Sequence, residues 1–163
     1  MKLQKMVRCG CCAALLAVCA WLALPVGEIS ITLQTFGIFL TLMLLGGGWG
    51  TVACVIYLLL GAVGLPVFSG FQGGVGILLG PTGGYLWGFL ILSLCYWFLR
   101  KPLGEFVSMV LGLLLCYACG TLWFSVSYGG TMWVVLLQCV APYLLPDLLK
   151  LFLAGFIRKR IKL

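Results

Sequence analysis

Asp147 and Lys150, in Leu145-Pro146-Asp147-Leu148-Leu149-Lys150, are the charged residues that lie inside the apolar runs of the sequence once interfacial positions are set aside. Each costs roughly 2.5 to 3.5 kcal/mol near a bilayer centre, so each requires a partner or a use. At i and i+3 they share a helix face. One reading is an ion pair closed on itself. The other is a pair facing a polar cavity, where Asp147 accepts ligand N–H groups and Lys150 supplies positive charge to a ligand or to Asp147. Gln34 and Gln72 are neutral amides that both donate and accept, and each could equally be a solvated loop residue. Tyr85, directly after Gly83-Gly84, offers a ring and a hydroxyl, or serves as an aromatic-belt anchor.

Other chemistries lack their parts. The chain has no histidine, and its three acids are Glu28, Glu105 and Asp147. Glu28 and Glu105 are too separated in topology to form the paired carboxylates of acid–base catalysis, and no serine sits in a nucleophile elbow, so the chain is not expected to be an enzyme. The nine cysteines lie in or beside apolar runs, which speaks against a disulfide framework. Cys116 and Cys119 form a CxxC but lack the strand–helix setting of a redox motif, and a metal site would need all-thiolate ligation. Gly74-Val75-Gly76-Ile77-Leu78-Leu79-Gly80 has neither the preceding strand nor the GK[ST] ending of a nucleotide loop. Uphill transport would therefore draw on a partner or an ion gradient.

The elements that must carry these residues are membrane spans. Of 163 residues, 64% are apolar and 8% charged, with a mean hydropathy of +1.24, against roughly 45 to 50% apolar and 25% charged in soluble domains. Six spans of about 20 residues fill most of the length and leave a single transmembrane domain over 1–163. The alternating pattern of an outer-membrane barrel is absent. The apolar runs predict spans near 7–26, 31–46, 49–65, 84–99 and 105–124, and a less simple stretch over 130–157. The first 26 residues approach a lipoprotein signal, but Val18 before Cys19 is a poor residue at a cleavage point, and a retained span is preferred.

Charge separates the second and third spans at Gly46-Gly47-Gly48. With six spans and both termini cytoplasmic, nine of the ten cations (Lys2, Lys5, Arg8; Arg100, Lys101; Arg158, Lys159, Arg160, Lys162) fall on one side, as the positive-inside rule requires. The net charge of +7 thus marks orientation and not nucleic-acid binding, which needs a clustered basic surface.

The connection over 65–84 holds seven glycines and two prolines and no charge. Irregular backbone at membrane depth survives only where protein buries it or where it lines a cavity, which makes this outer loop the first candidate for a binding site. Pro142 and Pro146 interrupt the last stretch. Either one span is kinked, or 130–141 is a half-length interfacial or re-entrant segment, with the last span starting near Pro146; both readings put Asp147 at a helix start, where free N–H groups could meet an anion. In the first span Ala13, Ala14, Ala17 and Ala20 form a small face suited either to a partner helix or to packing inside the bundle.

Four segments then resemble a known family: Gly80-Pro81-Thr82-Gly83-Gly84-Tyr85-Leu86-Trp87-Gly88-Phe89, the preceding Gly61-Ala62-Val63-Gly64-Leu65-Pro66-Val67-Phe68, Ile31-Thr32-Leu33-Gln34-Thr35, and Pro146-Asp147-Leu148-Leu149-Lys150. Together they resemble the BioY family, biotin-specific substrate-binding (S) components of energy-coupling-factor (ECF) transporters. The resemblance implies a six-helix, multi-pass subunit in a prokaryotic plasma membrane. It would capture biotin from outside and work with a transmembrane coupling protein and a pair of cytoplasmic ATPases, which alone hydrolyse ATP; no cofactor is implied. The expected binding residues are Asp147, Lys150, Gln34, Gln72, Tyr85 and Gly83. An AxxxA face on the first helix implies that Ala13 and Ala17 meet the coupling protein. One departure stands out: the family commonly reads Pro-Gly-Asp where Pro146 here abuts Asp147.

Overall fold

A computed structural model describes residues 2–24, 30–129 and 132–161. Its helices are α1 (Lys2–Trp21), α2 (Gln34–Ala62), α3 (Val75–Leu79), α4 (Gly83–Leu103), α5 (Glu105–Tyr128), α6 (Met132–Cys139) and α7 (Ala141–Arg160). Two short strands, β1 (Ala23–Leu24) and β2 (Ile31–Thr32), pair antiparallel beyond α1. Among the described residues, Leu3–Trp21, Gln34–Ala62 and Glu105–Ser127 are long and apolar enough to cross a membrane.

Helix α2 reverses on itself. Gly46 has φ 77 and ψ 170, a conformation open to a residue without a Cβ. Gln34 and Tyr57 would stand about 34 Å apart along a straight helix, yet Gln34 Nε2 lies 2.8 Å from Tyr57 Oη. Two antiparallel arms therefore meet at the glycine triplet, the boundary at which charge separates the second and third predicted spans.

Contacts gather the helix ends into two groups. Cys9 Sγ reaches the carbonyl of Trp49, a Cβ on Gly46 would come within 2.9 Å of Arg100 Nη1, and Arg158 pairs with Glu105. These contacts bring the start of α1, the α2 turn, the α4–α5 junction and the end of α7, with their cations, to one end. The end of α1, β2 and the 65–84 loop form the other.

Glycines set the closest packing. A Cβ on Gly88 would lie 2.7 Å from Cys116 Sγ, and one on Gly112 would lie 3.0 Å from the carbonyl oxygen of Leu92. Helices α4 and α5 thus approach through small residues, the usual device where lipid provides no hydrophobic drive. The irregular 65–84 loop is held by three indoles: Trp21 donates to the Pro66 carbonyl at 2.8 Å, Trp87 to Leu78 at 3.2 Å and Trp123 to Gly80 at 2.9 Å. Protein donors thereby satisfy carbonyls that a bilayer would leave unpaired.

One expectation needs correction. Helix α7 starts at Ala141, with Pro142 in its first positions, where a missing N–H costs nothing. Asp147 therefore sits in the second turn and not at a helix start, and the break falls at Val140, with the short α6 before it. Ala13 and Ala17 are 2% and 6% exposed and pack in the core with Leu16, Ile38 and Phe39. Within the single chain these two residues serve internal packing, one of the two uses open to the small face, while Ala14 beside them is exposed.

Candidate ligand-binding site

A cavity of about 280 Å³ opens near the loop end of the bundle, close to the lower bound of roughly 300 Å³ for small-molecule sites. Each wall comes from a different element. Thr32, Gln34 and Thr35 enter from β2 and the first turn of α2, Phe68, Ser69, Gly70 and Gln72 from the loop, Tyr85, Leu86 and Phe89 from α4, Cys116 and Tyr117 from α5, and Tyr143, Asp147 and Lys150 from α7.

Asp147 and Lys150 are 3% and 9% exposed and form an ion pair of 2.7 Å. Asp147 Oδ1 also accepts from Thr35 Oγ1 at 2.8 Å, and Oδ2 accepts from Tyr117 Oη at 2.6 Å. Lys150 Nζ donates further to the Thr32 carbonyl at 2.6 Å and to Thr35 Oγ1 at 3.2 Å. An ammonium has three protons and a carboxylate about four acceptor positions. Lys150 is thus fully used by the protein, while among the described residues Asp147 Oδ2, on a cavity-lining residue, accepts one hydrogen bond and has room for another. The pair is closed on itself and also faces a cavity, so the two sequence readings describe the same cluster.

The other expected residues divide. Gln34 lines the cavity, yet its amide donates to Tyr57 Oη, which in turn donates to the Val67 carbonyl at 3.1 Å. It therefore also ties α2 to the loop. Gln72 lines the cavity from the loop, where its carbonyl accepts from the Phe68 N–H at 2.9 Å. Tyr85 packs its ring on Gly120, where a Cβ would lie 2.3 Å away. Its hydroxyl is buried beside Thr121 and Cys139. Gly83 does not line the cavity; it lets α4 begin against the Leu78 carbonyl, 2.1 Å from where a Cβ would be.

Thr35, Tyr117, Phe68, Phe89 and Tyr143 join the site without having been singled out. Thr35 adjoins Gln34 in a segment already marked, and Tyr117 lies inside the CxxC read for its sulfurs. A hydroxyl in mid-span that needs a partner was the available signal for Tyr117. For Phe68, Phe89 and Tyr143 no sequence signal separates a cavity wall from ordinary apolar packing.

Apolar helices packed around a buried, charge-paired cavity are the architecture of a transporter's substrate-binding subunit. The match to a family is equally plain: the chain belongs to the BioY family, which it matches over residues 1–163. It is 37% identical to the biotin transporter BioY of Thermotoga maritima over 98% of this chain and 96% of that protein. It is 35% identical to the probable biotin transporter BioY of Pyrococcus horikoshii, covering 91% and 90%. The crystal structure of the S-component for biotin from an ECF-type ABC transporter superposes with a TM-score of 0.89 at 27% identity, covering 98% of this chain and 90% of that one. These relatives are transport proteins and not enzymes.

Proposed function

We propose that this chain is the biotin-capture subunit of an ECF-type transporter. One observation carries the ligand assignment: in a chain of this family, a buried carboxylate lines a cavity whose other walls combine aromatic and apolar side chains with a few hydroxyls and amides. Biotin presents two ureido N–H donors, one ureido carbonyl, an apolar thioether ring and a valerate carboxylate. Asp147 Oδ2 accepts a ureido N–H, the Tyr85 ring and hydroxyl line the ligand's path, and Phe68, Leu86 and Phe89 cover the ring. Gln34 and Gln72 complete the polar contacts. Lys150 acts chiefly by orienting Asp147 through their ion pair.

The six spans are α1, the two arms of α2, α4, α5 and α7, crossing the plasma membrane with both termini in the cytoplasm. The cavity then opens outward and the cationic end faces the partners, a coupling protein and two ATPases that hydrolyse ATP. Equilibrium binding of labelled biotin to the purified chain, beside a panel of other small vitamins, tests the reading. Saturable biotin binding is expected; a different vitamin binding in its place would reassign the ligand, and no binding at all would remove the capture role.

A further inference from the structure

Arg100 and Lys101, in the last turn of α4, form no ion pair among the described residues. The chain offers them little choice. Of its three acids, Asp147 holds Lys150, Glu105 holds Arg158, and Glu28 lies outside the described residues. The two cations line a second groove of about 450 Å³, at the end opposite the ligand cavity, with Leu45, Gly46, Gly47, Gly48, Trp49, Trp97 and Phe98.

The glycine turn shapes this groove. A Cβ on Gly47 would lie 2.6 Å from Trp97 Cα, and one on Gly46 would lie 2.9 Å from Arg100 Nη1, so bare backbone lies against α4 and the guanidinium sits over the turn. Arg100 also lies 5.7 Å from the centre of the Tyr96 ring and interacts with its hydroxyl; with five N–H donors in its fork the guanidinium has others left for oxygens. On the bilayer side, Trp97 and Phe98 are 47% and 69% exposed.

From this we infer that the groove between the Gly46–Gly48 turn and the end of α4 binds the phosphate of an anionic phospholipid, with its acyl chains along Trp97 and Phe98. A lipid supplies both things the groove lacks, an anion for the two cations and an apolar neighbour for the exposed rings. Basic pockets between helices at the cytoplasmic side are suited to such headgroups, and indole rings favour that depth. An acidic protein segment would meet the cations but leave the ring faces to be covered separately. The inference rests on the membrane placement proposed above and not on the identity of the ligand.

The test uses the full chain released from vesicles of phosphatidylglycerol and phosphatidylcholine and analysed by native mass spectrometry, with biotin binding measured on the same samples. Preferential retention of phosphatidylglycerol is expected, falling about fivefold for each cation removed in K101Q and R100Q/K101Q. R100K/K101R and the tail variant R160Q should keep it. K101Q alters one exposed side chain, so its decrement reads the site even if the double variant folds poorly. Equal retention of the two lipids by the parent, or an unchanged preference in both K101Q and R100Q/K101Q, overturns the inference. So does displacement by equimolar inorganic phosphate, which would mark a free-anion site, or loss of a co-purifying coupling protein with lipid retention intact, which would mark a protein contact. Lost biotin binding with lipid preference retained would count against the ligand reading alone.

Discussion

Tyr117 on α5 donates its hydroxyl at 2.6 Å to Oδ2 of the cavity-lining Asp147 on α7, an oxygen that accepts no second hydrogen bond among the described residues. The bond fixes the carboxylate plane from the side opposite Thr35 and Lys150, so the direction of the remaining lone pair is set by three protein donors before any ligand arrives. Preorganisation of this kind raises affinity by reducing what must be ordered on binding.

Tyr117→Phe removes that donor with little change of shape. A hydrogen bond to a charged group contributes about 1.5 to 3 kcal/mol, so biotin affinity is expected to fall about tenfold or more while the fold persists. Titration of labelled biotin, with helical content checked by circular dichroism, reads both; affinity equal to the parent's would show that Tyr117 does not orient Asp147.

Asp147→Asn should separate stability from binding. It strands the Lys150 ammonium at a site where both residues are almost fully buried, and breaking a buried pair by removing one partner costs about 3 to 5 kcal/mol. Asp147→Asn/Lys150→Met removes both charges and is expected to recover most of the thermal stability lost in the single variant while biotin binding remains lost. A double variant that binds as the parent does would leave the pair a structural ion pair and nothing more.

How far the sequence speaks follows from the scale of each cost. Charge in an apolar run is expensive, so Asp147 and Lys150 are conspicuous, and the charge clusters with the Gly46-Gly47-Gly48 triplet mark the turn in α2. Helix starts are subtler: in the sequence Pro146 reads either as a kink within one long span or as the neighbourhood where the last span starts, but Pro142 occupies the first positions of α7 and Pro146 is tolerated inside it. Small residues are ambiguous in a similar way. Ala13 and Ala17 suit a partner helix or internal packing and are buried within the chain, and Gly84 and Gly88, with the same spacing, hold α4 to α5. Spacing shows that something approaches closely; which element approaches is a tertiary fact. Tyr117 was hidden for a related reason, because an apolar helix gives a hydroxyl no visible partner until α7 is folded beside it.

Gly61→Ala tests whether the loop wall depends on close approach. A Cβ there would lie 2.0 Å from Cζ of the buried Phe68 ring. Phe68 lines the cavity, so the ring must shift into it or pull the loop away. Overpacking of this kind costs about 1 to 3 kcal/mol. Weaker biotin binding is expected, with a larger effect for Gly61→Val. Unchanged binding in both variants would show that Phe68 can move without disturbing the ligand.

Trp21 is placed to hold the loop over the cavity. Its indole N–H donates to the Pro66 carbonyl at 2.8 Å, and its ring stacks on Phe71 at 5.0 Å between centroids. The intervening loop residues Phe68, Ser69 and Gly70 line the cavity. Neither contact of Trp21 is to a cavity-lining residue, so its removal should act on the path out and not on the bound ligand itself. Trp21→Phe keeps a ring but loses the donor, while Trp21→Ala loses both. With about 1 kcal/mol for the hydrogen bond and a similar amount for the stack, biotin dissociation is expected to quicken about fivefold in Trp21→Phe and more in Trp21→Ala. Association should change less, because the loop must open for capture in every variant. Stopped-flow release of a fluorescent biotin into excess unlabelled biotin measures the rate directly. Equal dissociation rates in all three proteins would mean that the ligand leaves by a path that does not pass this loop.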